Sequence, residues 1–127
     1  MGPWCFDLDN TISGTPELMK CLMKGLKDDG NEVHVLSGTH HNPATQADLR
    51  EKYDLLQKLG CEHGVHYDQL IAVSGPESNV PTAKVQYMQH VKAAGLVDDR
   101  KQNIKAARKA GFLGLRHVEP KGLRGEK

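Results

Sequence analysis

The feature that most constrains this chain is an alternation of apolar segments with two different periods. Residues 3–8 (PWCFDL) are short and nearly continuous in hydrophobicity, as a strand buried on both faces requires. Residues 15–27 then place Leu18, Met19, Leu22, Met23 and Leu26 at helical spacing, and Asp28, Asp29 and Gly30 end the run. Residues 32–36 (EVHVL) read as a β-branched strand closed by Ser37 and Gly38, and residues 43–59 as a helix with Pro43 in its first turn and Gly60 past its end. Residues 69–73 read as a third strand. Beyond the breaker-rich SGPESNVP comes a helix opened by Lys84 and carrying Val85, Met88 and Val91. Residues 95–97 read as a short fourth strand, 103–110 as a helix stopped by Gly111, and 112–118 as the last strand.

Strands that alternate with helices are joined by right-handed crossovers into a parallel sheet covered on both faces. The expectation is therefore an α/β, three-layer Rossmann-like sandwich with about five strands. At 127 residues the chain suits a single domain over 1–127, with a C-terminal tail from about 119. Seventeen basic residues against 16 acidic give a net charge of +1, so no global field marks a nucleic-acid or membrane partner. Residues 100–127 are locally more basic and read as a solvated helix face and tail, with a nucleic-acid contact as the alternative. No run approaches the ~18 apolar residues of a membrane span. Three cysteines, Cys5, Cys21 and Cys61, show no paired spacing, which predicts reduced thiols and a cytoplasmic setting.

In a sheet of this kind ligands bind beyond the carboxyl ends of the strands, so the polar residues left at those ends carry the functional reading. The first strand ends in Asp7-Leu8-Asp9-Asn10-Thr11, the second in Ser37-Gly38-Thr39 and the fourth in Asp98-Asp99. Lys84 opens the helix before the fourth strand. Each has a structural explanation by itself: an Asp after a strand commonly caps a helix or makes a turn, Ser-Gly is commonly a turn, and a helical Lys is commonly solvated. Their joint placement at strand ends points elsewhere. Several carboxylates on one sheet edge repel one another unless a cation joins them. Magnesium fits because it takes hard oxygen ligands and keeps room for water and phosphate. A hydroxyl and a fixed positive charge beside it suit a phosphoryl group.

These four motifs, in this order and over nearly the whole chain, resemble the haloacid dehalogenase (HAD) superfamily, most of whose members are phosphatases. The resemblance implies that Asp7 attacks phosphorus and that Asp9 protonates the leaving oxygen, then deprotonates the hydrolytic water. It implies that Thr11 holds the first loop, that Ser37, Gly38 and Lys84 bind phosphate oxygens, and that Asp7, Asp9 (through its backbone carbonyl), Asp98 and Asp99 hold Mg2+. Asn103, four residues on, favours Asp99 as the direct ligand. The implied activity is hydrolysis of a phosphate monoester through an aspartyl-phosphate.

The chain departs from the family pattern in two places. Many members have Gly where this chain has Asn10. Cap domains are usually inserted after the first motif or between the second and third, and positions 12–36 and 38–83 leave no space for one. An uncapped, open site favours large phosphorylated substrates such as a nucleotide or a nucleic-acid end. The spacing is loosely similar to the 3′-phosphatase domain of polynucleotide kinases, which tend to carry Arg where Thr39 and His40-His41 stand here. Cys61, His63 and His66, with His40 and His41, offer zinc-type donors, but their spacing matches no strong pattern; substrate binding by His40 and His41 is the other reading. Two further alternatives are a non-catalytic binding or assembly module on this fold, and a phosphoacceptor domain of the response-regulator type. The second would require its acidic pair at the first strand rather than near the C-terminus.

Overall fold

A computed structural model of the chain describes residues 2–39 and 41–118; His40 and the tail expected from about 119 lie outside the described residues. Five strands form one parallel sheet in the order β3-β2-β1-β4-β5: β1 Trp4–Phe6, β2 Val33–Thr39, β3 Gln69–Ser74, β4 Gly95–Asp98 and β5 Leu113–Arg116. Helices α1 Pro16–Asp28, α2 Gln46–Lys58, α3 Val80–Val91 and α4 Lys101–Lys109 connect them. The α/β Rossmann-like class expected from the alternating periods is the observed one.

Neighbouring strand residues point to opposite faces, and the two cores follow that alternation. Phe6, Val35 and Val97 pack with Met19 and Met23 of α1 and Leu56 of α2. Cys5, Leu36 and Leu96 pack with Met88 of α3 and with Ile104 and Ala107 of α4. The sheet is thus the middle of three layers. The connection from the first loop to β2 is occupied by α1, and the one from β2 to Lys84 by α2, β3 and the short helix Glu77–Asn79.

Several boundaries differ from the sequence reading, each for a tertiary or capping reason. β2 does not close at Ser37. It continues through Thr39 because its pairing with β3 extends to Thr39 opposite Ser74, so Ser37 and Gly38 are strand residues. Pro43 precedes α2 rather than entering it. The helix is started by a reciprocal cap in which Thr45 Oγ1 accepts from the Asp48 N–H at 3.1 Å while Asp48 Oδ2 accepts from the Thr45 N–H at 2.7 Å. Lys84 does not open α3. The helix begins at Val80, with Pro81 in its first turn, where a missing N–H costs nothing. β1 stops at Phe6 and α4 starts at Lys101, two residues before Asn103. β5 is confined to Leu113–Arg116, the length over which β4 offers a partner.

Candidate active site

The order of strands reverses between β1 and β4, and in open α/β sheets the crevice at that reversal is where ligands bind. β1 delivers Asp7 and β4 delivers Asp98 to its two sides. Parallel pairing aligns Phe6 with Val97, and the Asp7 N–H donates to the Val97 carbonyl at 2.9 Å. The chain then leaves β1 in a kinked turn over Leu8–Ile12, in which Asn10 takes φ 66° and ψ −7°. That left-handed conformation suits glycine and is tolerated by asparagine better than by most residues. Asn10 therefore holds a turn conformation that glycine would also supply. The turn brings Thr11 back over Asp7, and Thr11 Oγ1 lies 3.0 Å from Asp7 Oδ2 and 3.2 Å from Asp99 Oδ1.

Lys84 comes from the opposite layer and is 2% exposed. Its Nζ donates to Asp7 Oδ1 and to Asp98 Oδ2, both at 2.8 Å. Asp98 is held further by the Asn103 side-chain amide on Oδ2 (2.9 Å) and the Arg100 N–H on Oδ1 (2.9 Å). Burial pushes the Asp7 carboxyl up to about 7; the Lys84 charge opposes the rise and the Asp98 charge adds to it. Burial would push the Lys84 ammonium down, but the charges and hydrogen bonds of Asp7 and Asp98 outweigh it and hold it above the ordinary lysine range. One ammonium among buried carboxylates leaves surplus negative charge, the condition under which a cation is drawn in.

One carboxylate oxygen from each of Asp7, Asp98 and Asp99 lies within 4.8 Å of the others. This all-oxygen donor set fits a hard divalent cation. Asp9, expected at a metal through its backbone carbonyl and at the substrate through its side chain, has its carboxylate turned toward α2. Its side chain is 52% exposed and Oδ2 accepts from Lys52 Nζ of α2 at 2.9 Å, with Ser37 Oγ at 3.5 Å. Asp9 nonetheless lines the same cleft as Asp7 and Asp99, a cavity of about 150 Å³ that Asn10, Gly38, Thr39, Lys84, Arg100 and Asn103 also line. Ser37 is fully buried beside Asp9. A side chain at Gly38 would meet Val80 Cγ2 at 3.3 Å, so glycine keeps that wall of the cleft back.

Sequence reasoning missed Lys52 and the cleft-lining role of Thr39 and Arg100. A lone Lys at mid-helix carries no local signal, and only the packing of α2 brings it to Asp9. Among the described residues, His41, His63 and His66 each bond to a different group. His41 donates through Nδ1 to Asp48 at 2.7 Å, His63 through Nε2 to the Asp68 carbonyl at 2.8 Å, and His66 Nδ1 accepts from the Glu62 N–H at 2.9 Å. Cys61 is buried in the core on the α1–α2 side. Among the described residues, the three-carboxylate group is the place a metal ion can be held, and no helix is long and apolar enough to cross a membrane.

Fold and cleft together define a class: a parallel α/β domain with an acidic, lysine-bearing pocket at its topological switch point. No protein-family model matches the chain, and no curated protein sequence matches it. Its fold is similar to that of a universal stress protein from Archaeoglobus fulgidus (14% identity, TM-score 0.57, covering 91% of this chain and 98% of that one). It is similar also to the core domain of a candidate phosphoglycolate phosphatase from Streptococcus pneumoniae (14% identity, TM-score 0.54, covering 94% and 82%). A third similar structure is a mutant HAD family enzyme from Bacteroides thetaiotaomicron in complex with magnesium and inorganic phosphate. It shows 14% identity and a TM-score of 0.50, with 88% of this chain and 58% of that chain covered. At these identities the likeness is one of fold, and one fold hosts many functions.

Proposed function

We propose that this chain is a magnesium-dependent phosphohydrolase that cleaves a phosphate monoester through an aspartyl-phosphate on Asp7. The observation that carries the reading is the buried Lys84 bridge, 2.8 Å from both Asp7 and Asp98, with Asp99 beside it in the cleft. A purely structural ion pair does not require Asp9 and Asp99 to face the same cavity as Asp7. The HAD family enzyme of similar fold, solved with magnesium and inorganic phosphate, supports the same chemistry.

In this reading Asp7 and Asp99 hold the metal. Asp98 already accepts from Lys84, Asn103 and the Arg100 N–H, and its part is to fix Lys84. Bound magnesium would supply charge neutralisation on the phosphoryl oxygens. Lys84 holds Asp7 in place for attack and offers a positive charge to the incoming phosphate. An Asp7 carboxylate oxygen forms a bond to phosphorus as the bond from phosphorus to the ester oxygen breaks. Protonated Asp9, turned from Lys52 into the cleft, gives its proton to that leaving oxygen. The resulting Asp9 carboxylate then takes a proton from water. The water oxygen bonds to phosphorus, the Asp7–phosphorus bond breaks, and inorganic phosphate leaves with Asp7 regenerated. Thr11 and Asn10 shape the loop, while Gly38 and Thr39 line the phosphate's side of the cleft and Ser37 supports Asp9 from beneath.

The absence of an inserted cap between the described elements favours a substrate that brings its own bulk, a nucleotide or a nucleic-acid 3′ end. Release of phosphate from an aryl phosphate, with and without magnesium, tests the reaction class, and 3′-phosphorylated oligonucleotides set against nucleotides and sugar phosphates test the substrate. Full turnover by Asp7→Asn, or none by the wild type on any of these, would sink the proposal. A universal stress protein of similar fold, solved in complex with cAMP, favours one other reading, a non-catalytic binding module on this fold. Its signature would be a stoichiometric bound partner with no phosphate release.

A further inference from the structure

Helix α1 carries two apolar stripes, and only one of them is used by the core. Met19 and Met23 are buried. Leu18, Cys21, Leu22 and Gly25 repeat at i, i+3, i+4 and i+7 on the outside, with Leu18 59% and Leu22 40% exposed. β5 presents a matching surface. Its register puts Leu113 beside Gly95 and Leu115 beside Val97, on the face of the sheet that α1 covers, and they are 61% and 52% exposed. The contact of Thr15 Oγ1 with His117 Nε2 at 3.3 Å ties the start of α1 to the end of β5, so the two apolar surfaces adjoin. β5 is also the outer strand of the sheet, and its sequence LGLR has none of the Lys, Pro or bulges that commonly guard an edge. Apolar surface collected in this way marks an interaction site.

We propose that this face binds a second copy of the chain, with the two α1 helices antiparallel across a two-fold axis that passes near Cys21. The charges flanking the stripe favour this occupant. Glu17 and Lys24 are seven residues apart and so lie on the same flank of α1. In an antiparallel pair like flanks face each other, which sets Glu17 against the partner's Lys24 twice over. A two-fold interface requires such self-complementarity; a parallel pair sets neither charge against the other and leaves each with only its exposed pair within α1, Glu17 with Lys20 at 3.0 Å and Lys24 with Asp28 at 2.8 Å. The Cβ position of Gly25 has nothing within 4 Å, which leaves room for a second helix to approach. Neither the stripe nor its flanks take part in the acidic cleft.

Sedimentation equilibrium of the full chain, with a short bis-maleimide as cross-linker, tests the proposal. The expected mass is twice 14.0 kDa. The expected cross-link runs from Cys21 to Cys21 and is lost in Cys21→Ser, since Cys5 and Cys61 are buried. Leu18→Glu, counted twice by symmetry, should raise the dimer Kd about 100-fold. Glu17→Lys should raise it about 5-fold, and adding Lys24→Glu should restore it. These charge exchanges also remove the exposed pairs Glu17–Lys20 and Lys24–Asp28 within α1, and they leave the core untouched. A monomer at every concentration, a dimer indifferent to Leu18→Glu, a dimer that Cys21 does not cross-link, or a double exchange that fails to restore association would each overturn the proposal.

Discussion

Lys84 Nζ lies 2.8 Å from Asp7 Oδ1 although the two residues are 77 positions apart in the chain. The contact joins the end of β1 to a helix on the far layer, and Asp98 completes it from β4. Removing Lys84 leaves the buried carboxylates of Asp7 and Asp98 without the ammonium between them, and breaking such a buried pair commonly costs about 3–5 kcal/mol. Lys84→Met is accordingly expected to lower the unfolding free energy by that order, read from urea denaturation, with Asp7→Asn far milder because an amide still accepts from Lys84. Equal stabilities of the two variants would contradict this account.

The same burial gives the metal-free chain a pH dependence. The Asp7 carboxyl is pushed from 3.8 up to about 7 on folding, so between those values the folded chain holds a proton that the unfolded chain has released. Stability from this group falls as pH rises through that window, by at most about 1.4 kcal/mol per pH unit. Denaturation in the presence of a chelator should show the slope, and Asp7→Asn should flatten it.

Magnesium should act in the opposite direction. A cation that binds only the folded chain stabilises it by about 2.7 kcal/mol at a hundredfold excess over its Kd, which corresponds to a rise of several degrees in Tm. Asp99→Asn should abolish the rise while leaving the Lys84 bridge intact. A Tm that magnesium raises equally in this variant and the wild type would remove Asp99 from the ligand set.

At the start of α2, Thr45→Ala should cost about 1 kcal/mol, the usual worth of an N-cap. The backbone hydrogen bond from Thr45, the largest influence, lowers the Asp48 carboxyl to about 2. Its stabilising effect is present above its ordinary value of 3.8 and is lost as pH falls through about 2. The penalty of Asp48→Asn, measured by thermal melting, should therefore shrink in strong acid.

Gly95 begins β4 between β1 and β5. A Cβ there would stand 2.6 Å from Trp4 Cζ3 and 2.9 Å from the Leu113 carbonyl oxygen, and the backbone oxygen cannot step aside. Gly95→Ala should destabilise by about 1–3 kcal/mol, whereas Gly25→Ala, with open space at its Cβ, should not. Chemical denaturation of the two variants checks the contrast.

The sequence by itself determined the order of strands and helices. Period and punctuation are local properties, and the run from PWCFDL to the last strand carries them at every step. It also marked Asp7, Asp9, Asp98 and Asp99, because acids left at strand ends can be read without knowing what they touch, and Lys84 through the order of motifs. What it misplaced were ends: Ser37 and Gly38 read as a turn until β3 supplied them with partners, and Pro43 read as a helix start until Thr45 and Asp48 formed the cap. Only the tertiary structure decided that Lys84 lies buried between Asp7 and Asp98, that Asp9 turns to Lys52, and that His41, His63 and His66 bond to separate groups. Those facts depend on where packed layers bring distant side chains. Local pattern fixes each element's type, but the contacts between elements belong to the assembled sheet and its two helical faces.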